Sequence, residues 1–243
     1  MFSTCFRAAL AAAVFAVSCL GATAQAQTPS RNLAPGFTAR IAGSKLVIVP
    51  PDVELFSQSA GGVLEPKADW TEAAQRHFRT ALMAQKSVLA GNSMELGEKD
   101  MDELAQLNVL HGAVAEAVFV HHMLSMPDLP TKEKRLDWTL GDAVQPLRDK
   151  TGADYALFFW VRDSYATAER KAAMVAMTIL GAAVGVVVVP TGGQQIAYAS
   201  LVDLRDGRVV WFNNLNRMAG DLREAQPALE TVQTLLKTFP AAK

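Results

Sequence analysis

The sequence predicts an α/β fold of two layers, in which a mixed β-sheet carries amphipathic helices. Apolar runs rich in β-branched residues recur along the chain, stretches with apolar residues at helical spacing separate them, and an Asp-Gly pair joins two of the runs. The resulting order is strand, helices, strand, hairpin and closing helix. That order is typical of helices packed against a mixed sheet.

The first 26 residues have the three parts of a secretory signal peptide. Arg7 is their one charged residue, and the uncharged stretch Ala8–Leu20 follows it. Small residues then offer signal-peptidase sites at Ala22-Thr23-Ala24 or Ala24-Gln25-Ala26. The apolar stretch is shorter than the ~20 residues of a membrane-spanning helix, so cleavage is favoured over a retained anchor.

Both cysteines of the chain, Cys5 and Cys19, lie inside this signal. A mature chain that begins near Gln27 therefore has no disulfide and no thiolate metal site. The tetrad Ala16-Val17-Ser18-Cys19 loosely resembles a lipoprotein cleavage box, which normally begins with Leu. Cleavage without modification and lipidation of Cys19 both stay open. Each predicts an exported protein of the periplasm, and lipidation predicts association with the outer membrane.

The charge of the chain argues against nucleic acid as a partner. The 243 residues include 23 basic and 24 acidic residues, and loss of Arg7 with the signal makes the mature chain slightly more acidic. Binding to a phosphate backbone needs a basic surface. Half of the residues are hydrophobic and 19% are charged. This composition predicts a well-filled core with apolar surface to spare.

One domain is predicted after the signal. Residues 27–42 are typical of a linker or an extended lead-in, and residues 43–243 form the α/β domain. The run Lys45–Val49 is the first predicted strand, which Pro50-Pro51 ends. A loop is expected next.

Three helices are predicted between this strand and the second one. The first begins at Asp69 and ends at Gly91-Asn92, and the second runs from about Asp100 to Leu124. A shorter helix over Thr139–Lys150 precedes Gly152, which is a predicted C-cap.

The C-terminal part has the strongest strand signals. Asp154–Val161 is an unbroken apolar run, typical of a strand buried on both faces. Ile196–Leu204 and Arg208–Asn214 flank Asp206-Gly207 and so predict a β-hairpin. A closing amphipathic helix has an apolar face of Leu229, Val232, Leu235, Leu236 and Phe239.

An apolar insert, Ala172–Val189, lies between the buried strand and the hairpin and contains no charged residue. Three interpretations stay open. It forms a core helix over about 168–182 that continues into a strand over 184–189, or an apolar patch for self-association or partner docking, or a membrane-inserted segment. Gly181 and Gly185 have a spacing that lets helices approach closely. With Val187 and Val189, they are the candidate interaction residues.

The sequence predicts no catalytic residue, no cofactor site and no metal site. G-x-S-x-G and H-E-x-x-H patterns are absent. On one helix, His111 and His122 would stand about 16 Å apart, too far to share a metal ion.

Polar residues near the ends of two predicted strands form a candidate polar loop set: Asp52, Glu54, Arg162 and Asp163. Ser164 follows Asp163 directly, so a periplasmic hydrolase with a pocket near these residues is an alternative function. No general base for Ser164 is visible in the sequence.

Two resemblances extend this interpretation. Val49–Leu55, Ser59–Gly62, Glu65–Ala74 and Gly152–Tyr165 resemble an uncharacterised family of proteobacterial envelope proteins. More distantly, Gly152–Leu157 and the hairpin around Asp206-Gly207 resemble periplasmic α/β domains. Those domains occur in curli-secretion (CsgG-like) lipoproteins, penicillin-binding-protein activator lipoproteins and the amino-terminal part of TolB.

The second resemblance implies a non-catalytic domain that binds partners or assembles at the outer membrane. In the curli-secretion group it also implies inserts that enter the membrane. The sequence therefore predicts a non-catalytic binding or assembly module of the cell envelope with a protein partner or self-association. The alternatives are a membrane component attached through 172–189 or a lipidated Cys19, and the hydrolase.

Overall fold

The computed structural model describes residues 30–89, 92–187, 192–218 and 220–243. The predicted signal peptide, with both cysteines, lies outside the described residues, as does Val189. The strands are β1 Leu46–Ile48, β2 Asp52–Gln58, β3 Leu64–Pro66, β4 Ser93–Glu95, β5 Tyr155–Ala166, β6 Gly193–Asp203 and β7 Val209–Arg217. The α-helices are α1 Ala68–Ala84, α2 Lys86–Leu89, α3 Glu98–Val118, α4 Gln145–Thr151, α5 Ala168–Ala183 and α6 Ala225–Leu235.

Strand β5 is the centre of one mixed sheet. Its first residues pair in parallel with β1 and its later residues pair in parallel with β2, while β6 runs antiparallel along its other edge. Outside these, β4 pairs with β1, β3 with β2, and β7 with β6. The predicted α/β class with a mixed sheet is confirmed.

Helices cover both faces of the sheet. Neighbouring residues of β5 point to opposite faces, and both sets are apolar, so each face must be shielded from water. On one face, Phe159 meets Phe78 of α1 edge to face, with ring centroids 5.4 Å apart, and α6 completes this layer. On the other face, Phe158 stacks on His111 of α3 at 4.7 Å, and α4 contributes Leu147. The sheet therefore lies between two layers of helices, which makes three layers where the sequence predicts two.

The loop expected after Pro50-Pro51 is wrong, because β2 begins at Asp52. Because the two prolines lack N–H groups, they interrupt the strand and divide it into β1 and β2. Both of these strands pair in parallel with β5. Strand β2 alternates buried and half-buried residues, with Val53 and Leu55 inside. It is a one-sided strand rather than a loop.

The lead-in from residue 30 packs on the sheet. Ala34 N–H donates to Val210 O at 3.0 Å, and Phe212 N–H donates to Asn32 O at 2.9 Å. These bonds protect the edge of β7, which would otherwise expose unpaired backbone groups.

The predicted hairpin is confirmed, with Gly207 at φ +74° in its turn. A Cβ on Gly207 would lie 2.3 Å from Gly141 O, so the turn needs glycine for space as well as for conformation. Gly152, at φ +60°, caps α4 as predicted. The first helix begins without a side-chain cap, and Asp69 lies in its first turn.

Candidate functional site

Helix α5 leaves the sheet where β5 ends, and its base is fixed there. Thr167 caps the helix, because its side chain accepts a hydrogen bond from Arg170 N–H at 3.2 Å. Thr167 N–H donates to Gln58 O at 3.0 Å, and Arg170 Nη1 donates to Ser59 O at 3.3 Å. The first turn of α5 is therefore tied to the end of β2.

Beyond this base, α5 and the residues after it expose a continuous series of large apolar side chains, here called the α5 surface. Its most exposed members are Val184 and Val187, at 75% and 87%. The full set is Val175, Met177, Ile179, Leu180, Val184, Val186 and Val187. The helix predicted over about 168–182 is present as α5, but its predicted place in the core is wrong. Both faces of the sheet are already covered by α1, α6, α3 and α4, which leaves no core position for a further helix.

The segment after α5 does not continue as the predicted strand within the described residues. Gly185 takes φ +74°, and Val186 N–H donates to Gly181 O at 2.8 Å, which ends the helix in a left-handed cap. Gly185 therefore lies outside the helix. Its spacing from Gly181 does not form one small-residue groove on a helix surface. The four-valine run is described only as far as Val187.

The same end of the sheet carries other exposed apolar side chains. Val63 and Leu64 lie at the turn that leads into β3, and Met218 directly follows β7. Within the described residues, no helix is both long enough and apolar enough to cross a membrane.

Asp52, Glu54 and Arg162 lie together on the half-buried face of β2 and β5. Arg162 Nη1 is 2.8 Å from an Asp52 carboxylate oxygen, and Arg162 Nε is 3.3 Å from one of Glu54. The guanidinium also lies over the Trp160 ring at 4.4 Å. Arg162 thus engages both acids, and the group joins β2 to β5 as an ion-paired clamp.

Asp163 lies on the opposite face, because neighbouring residues of a strand point to opposite sides. Its side chain is buried and accepts hydrogen bonds from Gln195 Nε2 at 2.7 Å and Tyr165 Oη at 2.5 Å. Tyr165 Oη in turn accepts from Leu222 N–H at 2.7 Å. Burial raises the pKa of Asp163 to about 6, and the hydrogen bonds from Tyr165 and Gln195 oppose that shift.

The network continues into β7 and α6. Gln195 Oε1 accepts from Arg217 Nε at 2.9 Å and from Thr231 Oγ1 at 3.1 Å. Arg217 Nη2 donates to Thr231 Oγ1 at 2.8 Å. Three strands and one helix are thereby joined beside the base of α5. Sequence reasoning missed Tyr165, Gln195, Arg217 and Thr231, since no spacing links residues on four separate elements.

Ser164 does not acquire a base from the candidate polar residues. Its Oγ donates to Gln194 O at 3.2 Å and accepts from Gln194 N–H at 3.0 Å. The carboxylates of Asp52 and Glu54 are held by Arg162, and that of Asp163 lies on the other face. A cavity of about 250 Å³ beside Ser164 is lined by Arg162 and Asp163 as well as by the apolar side chains of Phe56, Leu64 and Ile196, and its lining includes neither Asp52 nor Glu54.

His111, His121 and His122 each have a hydrogen-bond partner within the protein. His111 is buried, and its Nε2 lies 2.9 Å from Ser200 Oγ. Burial lowers the pKa of His111 to about 3. Across the described residues, no group of three or more His, Cys, Asp or Glu side chains is arranged to hold a metal ion.

No protein-family model matches the chain, and no curated protein matches it. Membership of the uncharacterised envelope family therefore stays a prediction. Solved structures with a similar course of the chain include the PelC dodecamer of Paraburkholderia phytofirmans, with 14% identity and a TM-score of 0.37. That comparison covers 85% of this chain and 94% of the PelC chain.

Two further similar structures are the LpoB C-terminal domain of Salmonella enterica and the lipoprotein GNA1162 of Neisseria meningitidis. The LpoB domain is 14% identical with a TM-score of 0.28, over 76% of this chain and 87% of its own. GNA1162 is 13% identical with a TM-score of 0.28, over 73% of this chain and 81% of its own. Similarity at this level does not establish a shared role.

The raised pKa of Asp163 predicts a pH-dependent stability that its replacement removes. The folded chain holds this proton up to about pH 6 and the unfolded chain only up to about pH 3.8. The protonated Asp163 carboxyl therefore makes its full contribution to the free energy of unfolding below about pH 3.8, and this contribution is lost as the pH rises through 6. Between pH 7 and pH 4, wild type should gain roughly 2–3 kcal/mol of unfolding free energy relative to Asp163→Asn.

Urea unfolding at several pH values measures this difference. Asp149→Asn, at an exposed position of α4, is the matched control and should follow the wild-type curve. If the unfolding free energies of wild type and Asp163→Asn change in parallel with pH, the buried carboxyl does not titrate in this range.

Proposed function

We propose that the protein is a non-catalytic binding and assembly module of the cell envelope, exported by residues 1–26, that self-associates through the α5 surface. The exposure of that surface is the observation that carries the proposal. Monomeric soluble proteins rarely expose a continuous apolar patch of more than a few hundred Å². A surface of this kind is typical of an interface that assembly covers.

Seven exposed apolar side chains on one segment would supply the free energy of association when they are buried. Full burial of one Val, Leu, Ile or Met side chain is worth about 1.5–3 kcal/mol. Burial of only part of this set could offset the ~4–15 kcal/mol that association costs in lost freedom of motion.

The proposal of a non-catalytic role rests on where the candidate polar residues lie. Asp52 and Glu54 are engaged by Arg162, and Asp163 belongs to a buried network. Ser164 bonds to the backbone of Gln194. These contacts give each residue a structural role.

Membrane association is the second candidate, and one observation favours it. Arg170 and Lys171 lie at the base of α5, and the helix beyond them has no charged residue, which suits a helix that inserts part-way into a lipid bilayer. Its 16 residues make it about 24 Å long, less than the ~30 Å hydrocarbon core of a bilayer. Assembly is the better account, because neighbouring copies can enclose a helix of any length.

Export is tested by the intact mass of the native protein from the periplasmic fraction. Cleavage after the signal should give an unmodified chain that starts at Gln25 or Gln27. A lipid-shifted mass that starts at Cys19, and that Cys19→Ala abolishes, would show the lipidated alternative instead. A full-length chain in the cytoplasm would contradict export.

Self-association is tested with two acidic substitutions on the α5 surface, Ile179→Glu combined with Val187→Glu. Wild type should be oligomeric in analytical ultracentrifugation, and the double variant should be monomeric, because two charges would have to be desolvated in the interface. The dissociation constant should rise by more than ~100-fold. Val109→Glu is the control, since Val109 of α3 is 73% exposed and far from α5 in sequence.

Vesicle flotation separates the two candidates. Wild type that is monomeric at all concentrations and floats with vesicles through the α5 surface would favour the membrane role. Wild type that is monomeric and does not bind vesicles would contradict both.

A further inference from the structure

An apolar groove with a basic rim lies beside the edge of the sheet, away from α5. Its volume is about 480 Å³, within the range of binding sites for small ligands or side chains. We call it the basic groove and define it by Arg31, Leu33, Pro35, Lys134, Arg135 and Leu136. Leu33, Pro35 and Leu136 supply apolar walls, and three cations stand around them.

The groove is a built feature of the fold. Helix α3 ends in a π-helical turn, Phe119–Met123, and Arg31 Nη2 donates to the carbonyls of His122 and Met123 there. In the opposite direction, His122 Nε2 donates a hydrogen bond to Arg31 O at 2.8 Å. The lead-in and the end of α3 thus hold one wall of the groove in place.

Two of the three rim cations, Lys134 and Arg135, are available to a partner. Lys134 pairs with Asp128 at 3.5 Å and Arg135 with Glu133 at 3.1 Å, and both cations are more than half exposed. Ion pairs of this kind contribute little, about 0–1 kcal/mol, so a partner can replace them at small cost. The three cations face two acids, Glu133 in the lining and Asp128 beside it, which leaves one net positive charge to attract negative charge.

The C-terminal end of α5 has the complementary properties. A helix carries a partial negative charge at its C-terminus, and the last turn of α5 has no basic residue to offset it. Apolar side chains surround that end: Ile179, Leu180, Val184, Val186 and Val187. We call this end the α5 tip.

The two surfaces belong to different parts of one molecule. Leu33 of the groove forms a β-bridge with Trp211 of β7. Trp211 is the partner of Leu201 in β6, and Leu201 is the partner of Leu157 in β5. α5 begins after Ala166, nine strand residues or about 30 Å further on. Among the described residues, none of α5 lines the groove. The side chains of the tip are exposed and do not line the groove, so the contact between tip and groove would join two molecules.

We propose that the α5 tip of one copy docks in the basic groove of a second copy. This inference rests on the self-association proposed above and identifies the surface of the second copy that the α5 tip contacts. The apolar side chains enter the groove, and Lys134 and Arg135 face the negative end of the helix. The contact joins two different surfaces, so it leaves a free tip and a free groove at each step. Head-to-tail growth then produces a closed ring or a filament.

The test uses one variant for each surface. The double variant Ile179→Glu with Val187→Glu places two charges on the apolar tip and leaves the groove residues unchanged. Lys134→Glu with Arg135→Glu changes only exposed side chains of the groove and keeps the tip. Each variant alone should be monomeric or weakened by at least ~10-fold in dissociation constant. An equimolar mixture should form a 1:1 heterodimer, because one intact tip meets one intact groove.

Arg148→Glu with Lys237→Glu is the matched control, since it makes the same charge change at exposed positions outside the groove. It should assemble as wild type does. Circular dichroism melting checks that every variant folds.

The outcomes separate this inference from the proposed function. If the tip variant is monomeric while the groove variant assembles like wild type, self-association stands and docking in the groove is wrong. That result, with no heterodimer, also fits contact between two α5 helices. If wild type is itself monomeric, both proposals are wrong.

Discussion

Strand β5 is the constraint on which the rest of the structure depends. It pairs with β1 and β2 along one edge and with β6 along the other, so its position fixes the whole sheet. Its alternate residues need apolar cover on both faces, and α1 with α6 and α3 with α4 provide that cover. No face is left for a further packing element. The apolar helix that follows β5 must therefore lie outside the core, where only another molecule can bury it.

The parts of the fold that local pattern determines could be predicted from the sequence. Asp154–Val161 indicated the central strand because its run is apolar on both sides, and Asp206-Gly207 indicated the hairpin because the turn requires φ above zero. Strand β2 could not be found that way. Pro50-Pro51 suggested an end to the strand, whereas the prolines only move the chain from one stretch of β5 to the next. That distinction depends on long-range pairing, which no local signal contains.

The candidate site shows the same limit. Asp52, Glu54 and Arg162 lie together, since residues within paired strands become neighbours. Its position in the sequence groups Asp163 with them, but the alternation of a strand directs its side chain to the opposite face and into a network with Gln195 and Tyr165. The apolar insert was recognised by composition. Whether it is core or surface depends on how the other helices cover the sheet, which its own residues do not encode.

The central claim is that a second copy covers the α5 surface. Residues 27–243 contain no cysteine, so Val187→Cys in a chain of these residues would provide a single thiol at the most exposed position of that surface. The direct measurement is the alkylation rate of this thiol over a range of protein concentration, with Val109→Cys as the reference. We predict that the thiol introduced at position 187 is alkylated at least ~10-fold more slowly in concentrated than in dilute protein, with no such change at position 109. A rate at position 187 that is equally fast at every concentration would contradict the account.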